Sequence, residues 1–233
     1  MQSEDRLIHF STELIHAPRQ HARPALQKLY YELSQTRHGA YDNTDFSHPT
    51  HARFHSRRGA KAQSAALFLP DRVVLIEEWV EIALSEFSDR VDTVAQHVLS
   101  DLGVGSFVAQ SATLRSTFAL THYPDARQFL IERVCGQGGQ IDPYFRRPIA
   151  TGGLRFALPE STEHGGNLNV IVESYRNSAS EVFVEVKGVF ANRSVDGEDL
   201  EKLREPISIC REFITDSVFP FLDQYDTPKV DPV

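Results

Sequence analysis

The stretch GSFVAQSATLRSTFALTHYP, from Gly105 to Pro124, lies in the middle of the 233-residue chain. Apolar and polar side chains alternate along much of it, and this period of two predicts a long β-strand. The end of the stretch repeats a pattern from the N-terminal region, and we therefore predict two copies of one unit. The matching residues are Ser116-Thr117, Leu120, His122 and Pro124 against Ser11-Thr12, Leu14, His16 and Pro18.

The first copy begins with an alternating strand and continues into a helical pattern. A helix is predicted from Pro18 to Gln35, because apolar residues recur there at helical spacing. The segment Ala40 to Pro49 is rich in turn-forming residues and is predicted to be a surface loop. A second long helix is predicted to end at Gly103. The predicted strands are Leu7–His16, Ala52–Arg58, Ser64–Leu69 and Arg72–Trp79.

The second copy follows the same order, with a longer irregular connection. Its first strand should place Val108, Leu114 and Phe118 toward the helices. Pro206 is expected to kink the last helical region or to divide it, because the proline ring clashes with the preceding turn. The tail after Tyr225 is expected to fray. The other predicted elements are a helix at Asp125–Val134, an irregular connection at Cys135–Gly153, and strands at Gly153–Leu158, Asn167–Tyr175 and Glu181–Phe190.

Each half, 1–104 and 105–233, thus follows the order β-α-β-β-β-α, and the chain is predicted to have an α+β fold. Adjacent strands joined by short turns form antiparallel sheets with helices segregated to one face. We expect the two repeats to form one integrated domain with a continuous, curved antiparallel sheet and long helices on one face. This layout resembles the tandem arrangement of TATA-binding proteins and their helix-grip relatives.

A second resemblance rests on the turn Asp71-Arg72, which leads into a strand that ends at Trp79 and is followed by a long helix. This order is similar to that of uncharacterised, sporadically distributed bacterial proteins of similar size. The resemblance implies no known activity.

Charge and composition narrow the classes of function. The net charge is −8, with 11 Lys and Arg against 14 Asp and Glu in residues 1–104 and 13 against 18 in the remainder. A sheet that binds nucleic acid needs a cationic surface, so no nucleic-acid partner is predicted. The N-terminal residues lack the pattern of a signal peptide, and no segment approaches the roughly 20 apolar residues of a membrane helix. A cytoplasmic protein with no membrane partner is therefore expected.

The two cysteines, Cys135 and Cys210, have neither metal-binding nor redox spacing and are interpreted as reduced, packed thiols. No motif for a cofactor occurs, and none is predicted.

The densest polar cluster is HPTHARFH, which contains His48, His51 and His55, with Asp45 just upstream. Neutral imidazoles ligate Zn²⁺ and a nearby carboxylate can complete the set of ligands, so a metal site is one hypothesis. The spacing matches no zinc signature, and the cation of Arg53 between the histidines opposes metal binding. A solvated, histidine-rich loop is the alternative interpretation.

His16 and His122 occupy matching His-x-Pro positions between a strand and a helix. They are interpreted as structural residues whose imidazoles bond to the backbone at the corner while proline starts the helix. A pair of proton carriers is the alternative.

The sheet face turned away from the helices is predicted to carry a mixture of aromatic, apolar and charged side chains. Such a mixture suits a binding surface or a subunit interface, although an ordinary half-exposed sheet with cross-strand charge pairs is the alternative. The candidate binding residues are Arg115, Arg155, Tyr175, Phe183 and Lys187.

The leading hypothesis for function is a non-catalytic binding or interaction protein that uses this face, with a homodimer as a possible assembly and an unknown protein or small molecule as ligand. One rival is a metal-assisted hydrolase at the histidine-rich loop. Another is small-ligand binding between sheet and helices, by analogy with helix-grip proteins. Whether the protein is an enzyme stays open, and no catalytic residue is predicted.

Overall fold

Nine strands form one open antiparallel sheet in the order β2-β3-β4-β5-β1-β6-β9-β8-β7. The computed structural model describes residues 6–36, 41–48, 50–161, 165–191 and 193–228. The alternation of apolar and polar side chains that predicted the strands is seen directly in β9, where every second residue is buried. The strands are β1 Arg6–His16, β2 Asn43–Asp45, β3 Ala52–Arg58, β4 Ala62–Phe68, β5 Arg72–Glu78, β6 Phe107–Ala119, β7 Gly153–Leu158, β8 Asn167–Ser174 and β9 Glu181–Phe190.

Helices cover one face of this sheet, so the fold is α+β as predicted. Phe87 of one helix packs on Phe10 of β1, with ring centroids 5.4 Å apart. On the same face, Cys210 of another helix contacts the carbonyl of Ala112 in β6. The helical segments are α1 Arg23–Ser34, α2 Leu84–Asp101, α3 Ala126–Gln128 continued by a π-helical turn Phe129–Val134, α4 Asp142–Phe145, a 3₁₀ turn Leu200–Leu203, α5 Arg204–Glu212, a π-helical turn Phe213–Val218, and α6 Phe219–Asp223.

The strands β1 and β6 pair with each other at the centre of the sheet, and this pairing is called the seam. Across it, Ile15 lies opposite Ala109, whereas the next residue, His16, lies opposite Phe107. Val108 is therefore the extra residue of a β-bulge, and it is 46 % exposed. The prediction that Val108 faces the helices is wrong, because the bulge moves the alternation by one residue and buries Phe107 instead.

Two other local predictions, the loop at residues 40–49 and the frayed tail after Tyr225, need correction. Asn43–Asp45 form the short strand β2 within the segment predicted as a loop. Of the two outcomes expected at Pro206, the structure shows the division: Pro206 lies in the first turn of α5, where its missing N–H is harmless, and a short 3₁₀ turn precedes that helix. A second division, the π-helical turn before Pro220, was not predicted.

Asp226, directly after Tyr225, is held in the fold rather than frayed, whereas residues 229–233 of the predicted tail lie outside the described residues. Asp226 is buried, and its two carboxylate oxygens accept hydrogen bonds from the backbone N–H groups of Thr121 at 2.6 Å and His122 at 3.0 Å. This carboxylate satisfies two backbone donors at the end of β6. The C-terminal segment is thereby fixed to the corner that leads into α3.

We expect Asp226→Asn to lower the free energy of unfolding by about 1.5–3 kcal/mol, because the amide can accept only through one atom and presents a donor to the other N–H. Urea denaturation of the variant and of wild type measures this difference. Asp223→Asn, on the exposed side of α6, is the matched control and should change stability by less than about 0.5 kcal/mol. Equal effects of the two substitutions would refute the structural role of Asp226.

The thiol of Cys210 lies in the core between α5 and the sheet, and burial raises its pKa to about 12. Among the described residues, no helix is both long enough and apolar enough to cross a membrane.

Candidate functional site

A depression of about 550 Å³ lies on the sheet face opposite the helices, called the open face below. It forms where β6, β9, β8 and β7 run side by side, and three of the five predicted binding residues line it. The seven remaining lining residues come mostly from β7 and β8. The lining residues are Arg115, Thr151, Gly152, Gly153, Leu154, Arg155, Ile171, Glu173, Phe183 and Glu185.

Two arginines in the depression differ in their partners. Arg115 donates from Nε to Glu185 at 2.6 Å, and the two residues face each other in the register of β6 and β9. Arg155 is exposed, lies opposite the apolar Ile171, and forms no ion pair or hydrogen bond with any described residue. The guanidinium of Arg155 is therefore available to a carboxylate or phosphate, which it can bind with two parallel hydrogen bonds.

Aromatic surface borders this guanidinium. The rings of Tyr175 and Phe183 are stacked, with centroids 6.2 Å apart and planes 13° apart. Phe183 lines the depression itself, whereas Tyr175 lines a neighbouring depression that shares Thr151 with it. The first depression thus places the unpaired guanidinium of Arg155 beside aromatic surface, and the neighbouring depression adds the exposed guanidinium of Arg176.

Gly153 fixes the floor of the depression because a side chain cannot be placed there. A Cβ atom at Gly153 would lie 2.4 Å from the backbone oxygen of Val172 and 2.7 Å from the Cβ of Glu173. The close approach of β7 to β8 at this point therefore requires glycine.

Lys187, the fifth predicted binding residue, lies outside the depression. Its ammonium is 3.9 Å from a carboxylate oxygen of Glu13, across the neighbouring strands β6 and β1. Its partner lies in β1, on the far side of β6 from the unpaired Arg155.

His9 extends the polar row of the open face into β1. It lies opposite both Arg115 and Glu78, is only 8 % exposed, and its Nε2 is 2.9 Å from the hydroxyl of Ser11. Burial, helped by the positive charge of Arg115, lowers the pKa of His9 to about 4. The imidazole is therefore neutral at pH 7 and keeps a second positive charge away from Arg115.

This shift predicts a pH-dependent stability. The unfolded chain binds a proton at His9 below pH 6.5, whereas the folded protein resists it until about pH 4, so stability falls as the pH drops through this window. We expect the effect of His9 to lower the free energy of unfolding by about 2 kcal/mol as the pH falls from 7.5 to 5. Urea denaturation at both pH values, compared with His9→Gln, isolates this contribution from other titrating groups. A variant that loses as much stability as wild type over this range would contradict the assignment.

The predicted metal ligands lie at the other end of the sheet. The rings of His48 and His51 stack with centroids 3.8 Å apart, and the carboxylate of Asp45 accepts the backbone N–H of Ser47 at 2.8 Å. His55 lies on β3 opposite Asn43. The hypothesis that these four predicted residues bind a metal stays a prediction.

Over the described part of the chain, one group of three side chains places its possible ligand atoms within 4.8 Å of one another. The group is Glu32, His97 and Asp101, which join α1 to α2. Nδ1 of His97 lies 2.9 Å from Asp101, and the ammonium of Lys28 lies 3.3 Å from Glu32 and 3.8 Å from Asp101. The positive charge of Lys28 thus lies close to both carboxylates, so the group serves as an interhelical ion-pair network.

His16 and His122 differ in spite of their matching positions. The imidazole of His16 is buried, and its Nδ1 lies 2.9 Å from the carbonyl of Ala17. The side chain of His122 is exposed, and only its backbone N–H takes part in the corner. The predicted bond from imidazole to backbone is thus present at one corner.

A buried ionic cluster on the helix side was missed by the sequence analysis. Glu77 has no exposed surface, and its carboxylate accepts hydrogen bonds from Ser64 at 2.6 Å, from Arg90 at 2.9 Å and from Arg58. The signal was present, because Glu77 follows Val73 and Leu75 at alternate positions of β5 and must share their buried face. The cluster connects α2 to β3, β4 and β5.

Comparison of the chain with protein-family models and with curated proteins gives no match.

Proposed function

We propose that this protein is a non-catalytic binding protein, and that the depression on its open face holds a partner group that carries a carboxylate next to an apolar or aromatic moiety. The observation that carries the proposal is the exposed guanidinium of Arg155, which has no partner among the described residues and lines a depression of about 550 Å³. Volumes of about 300–1,000 Å³ are typical of ligand sites.

The charges around the depression support this choice of ligand. Arg115 is neutralised by Glu185, whereas Arg155 forms no ion pair with Glu173, whose carboxylate lines the same depression, so its guanidinium remains to meet an anionic group. The stacked rings of Tyr175 and Phe183 offer apolar surface to the rest of the ligand. Because the whole chain carries a net charge of −8, long-range attraction does not favour polyanions, and a single carboxylate beside an apolar group suits the site better.

The two-repeat architecture is part of the same proposal. Outward from the seam, β5, β4 and β3 follow β1 on one side, and β9, β8 and β7 follow β6 on the other, which supports two related units. This order, with helices on one face and an open face on the other, supports the resemblance to the tandem layout of TATA-binding and helix-grip proteins.

The test is an NMR titration of the isotope-labelled protein with 3-phenylpropionate, using 3-phenylpropan-1-ol as the probe without a carboxylate. We expect chemical-shift changes confined to the residues of the depression, and affinity for the acid that exceeds affinity for the alcohol. Arg155→Met should weaken binding of the acid by about 10-fold, because it removes a charge-assisted hydrogen bond.

Arg57→Met is the matched control, because Arg57 is also an exposed arginine, lies on the distant strand β3 and has no ion pair among the described residues. Equal affinity for the acid in Arg155→Met and Arg57→Met would refute the proposed site. Equal affinities for 3-phenylpropionate and 3-phenylpropan-1-ol would refute a role for the Arg155 guanidinium in binding.

A further inference from the structure

The strand β7 forms one end of the sheet, and one of its two backbone edges is unpaired within the described chain. Ser174 donates its N–H to the carbonyl of Gly152 at 3.0 Å, which fixes the alternation of the hydrogen-bonding ladder with β8. Gly153, Arg155 and Ala157 therefore direct their N–H and C=O groups away from β8. An unpaired strand edge of this kind pairs readily with another strand.

The two ends of the sheet differ in whether they carry features that prevent such pairing. At the opposite end, β2 has only three residues, one of which is Asp45, and short charged edge strands discourage pairing. The strand β7 has six residues, GLRFAL, with neither an acidic residue nor a proline. Its only charged residue, Arg155, faces the open side.

An apolar groove runs along the helix side of this edge. It is open, has a volume of about 250 Å³, and lies between β7 and the π-helical turn that follows α5. Phe156 at its rim is 41 % exposed. The lining residues are Phe156, Leu158, Val170, Val172, Phe213, Ser217, Val218 and Phe221. The groove is smaller than the roughly 300–1,000 Å³ of most small-ligand sites.

We propose that a second copy of this chain covers the groove by pairing its β7 antiparallel with the first, so that two nine-stranded sheets join into one. This dimer does not depend on the ligand proposed above, since it uses the backbone edge and the helix side of β7 rather than the open face. A two-fold axis perpendicular to the sheet keeps the helices of both copies on the same side, so the two grooves meet at the axis.

The sequence of β7 selects one register for this pairing. With Phe156 opposite Phe156 of the partner subunit, Arg155 lies opposite an alanine, and Leu154 lies opposite a leucine. A shift by one pair toward the N-terminus would place Arg155 opposite its own copy, and like charges directly opposite are destabilising. A shift the other way would place Arg155 opposite Pro159, which has no N–H to donate. The register with Phe156 opposite Phe156 of the partner subunit is therefore favoured over a shift in either direction.

The test uses Ala157, which is exposed, lies on the open side and does not line the depression. In the proposed register, each residue 157 lies opposite Arg155 of the other subunit. Ala157→Glu should tighten the dimer by about 3- to 30-fold, because two new ion pairs form across the axis, and Ala157→Arg should weaken it by a similar factor. Sedimentation-velocity analysis of the full chain from about 1 to 200 μM measures these dissociation constants.

Opposite effects of Ala157→Glu and Ala157→Arg support both the interface and its register. Equal effects of the two substitutions, or a wild-type monomer throughout this range, would overturn the proposal. Phe156→Lys provides a second test, since it should abolish the dimer while the residue remains solvated at the edge of a folded monomer. If a monomeric wild type binds the apolar dye 8-anilinonaphthalene-1-sulfonate and Phe156→Lys does not, a small apolar ligand is the occupant of the groove and the dimer proposal fails.

Discussion

Replacement of Glu77 by alanine is expected to lower the free energy of unfolding by about 3–5 kcal/mol. The Glu77 carboxylate is fully buried and joins Arg58, Arg90 and Ser64, which lie on three different elements of the first half. Without it, the guanidinium of Arg90 stays buried with its main counter-charge removed. Desolvation of an uncompensated charge is what makes the loss of one partner so costly.

Urea denaturation of Glu77→Ala and wild type measures this effect, and the neighbouring Glu78→Ala is the matched control. The Glu78 side chain is 38 % exposed, and the hydrogen bond that it accepts from Gln63 is only part-buried, so its loss should cost less than about 1 kcal/mol. The double variant Glu77→Ala/Arg90→Ala should be more stable than the sum of the single effects predicts, because it removes both buried charges together. Strict additivity would contradict a direct interaction between them.

Phe54→Ala is expected to destabilise the protein by a similar amount, about 3–5 kcal/mol. Phe54 is fully buried on β3, and its ring contacts those of Tyr30, Tyr41, Phe46 and Phe68 at centroid distances of 4.6–6.3 Å. Removal of the central ring leaves a cavity that the aromatic side chains on α1, on β4 and on either side of β2 cannot fill by small shifts.

Thermal and urea unfolding of Phe54→Ala measure this loss. Phe54→Leu, which retains most of the apolar volume, should cost clearly less. Tyr31→Ala changes an aromatic residue of α1 that is 68 % exposed, and it should change stability by less than about 0.5 kcal/mol. A Phe54→Ala variant no less stable than Tyr31→Ala would show that the cluster does not hold α1 to the sheet.

Much of the fold was predictable, because strand and helix periods are encoded in adjacent residues. The alternation Val182, Val184, Val186 predicted β9 with its correct buried face. The bulge at Val108 was not predictable, since it depends on how β6 pairs with a strand almost 100 residues earlier. A pattern within one strand carries no information on the register of its neighbour.

The candidate site was likewise predictable in part, because some of its features depend on the strand period and others on the register between strands. Arg115, Arg155 and Phe183 were predicted to share the open face from the strand periods alone, and the structure places them in one depression. Which arginine is paired and which is free depends on the register between strands, where Glu185 lies opposite Arg115 and Ile171 lies opposite Arg155. That register leaves Arg155 unpaired, and it is a property of the folded sheet.

We expect the pairing of β1 with β6 in the seam to determine the order in which the strands fold. Thr12 of β1 donates to the carbonyl of Ser111, a residue 99 positions later in the chain. During synthesis, β1 can pair with β5 well before β6 emerges, so one edge of the most N-terminal strand stays open until the second half is made. Closure of such long loops slows folding. Pairing of β6 with β1 is therefore expected to be a late, rate-limiting event, and the growing chain carries an unpaired central strand until then.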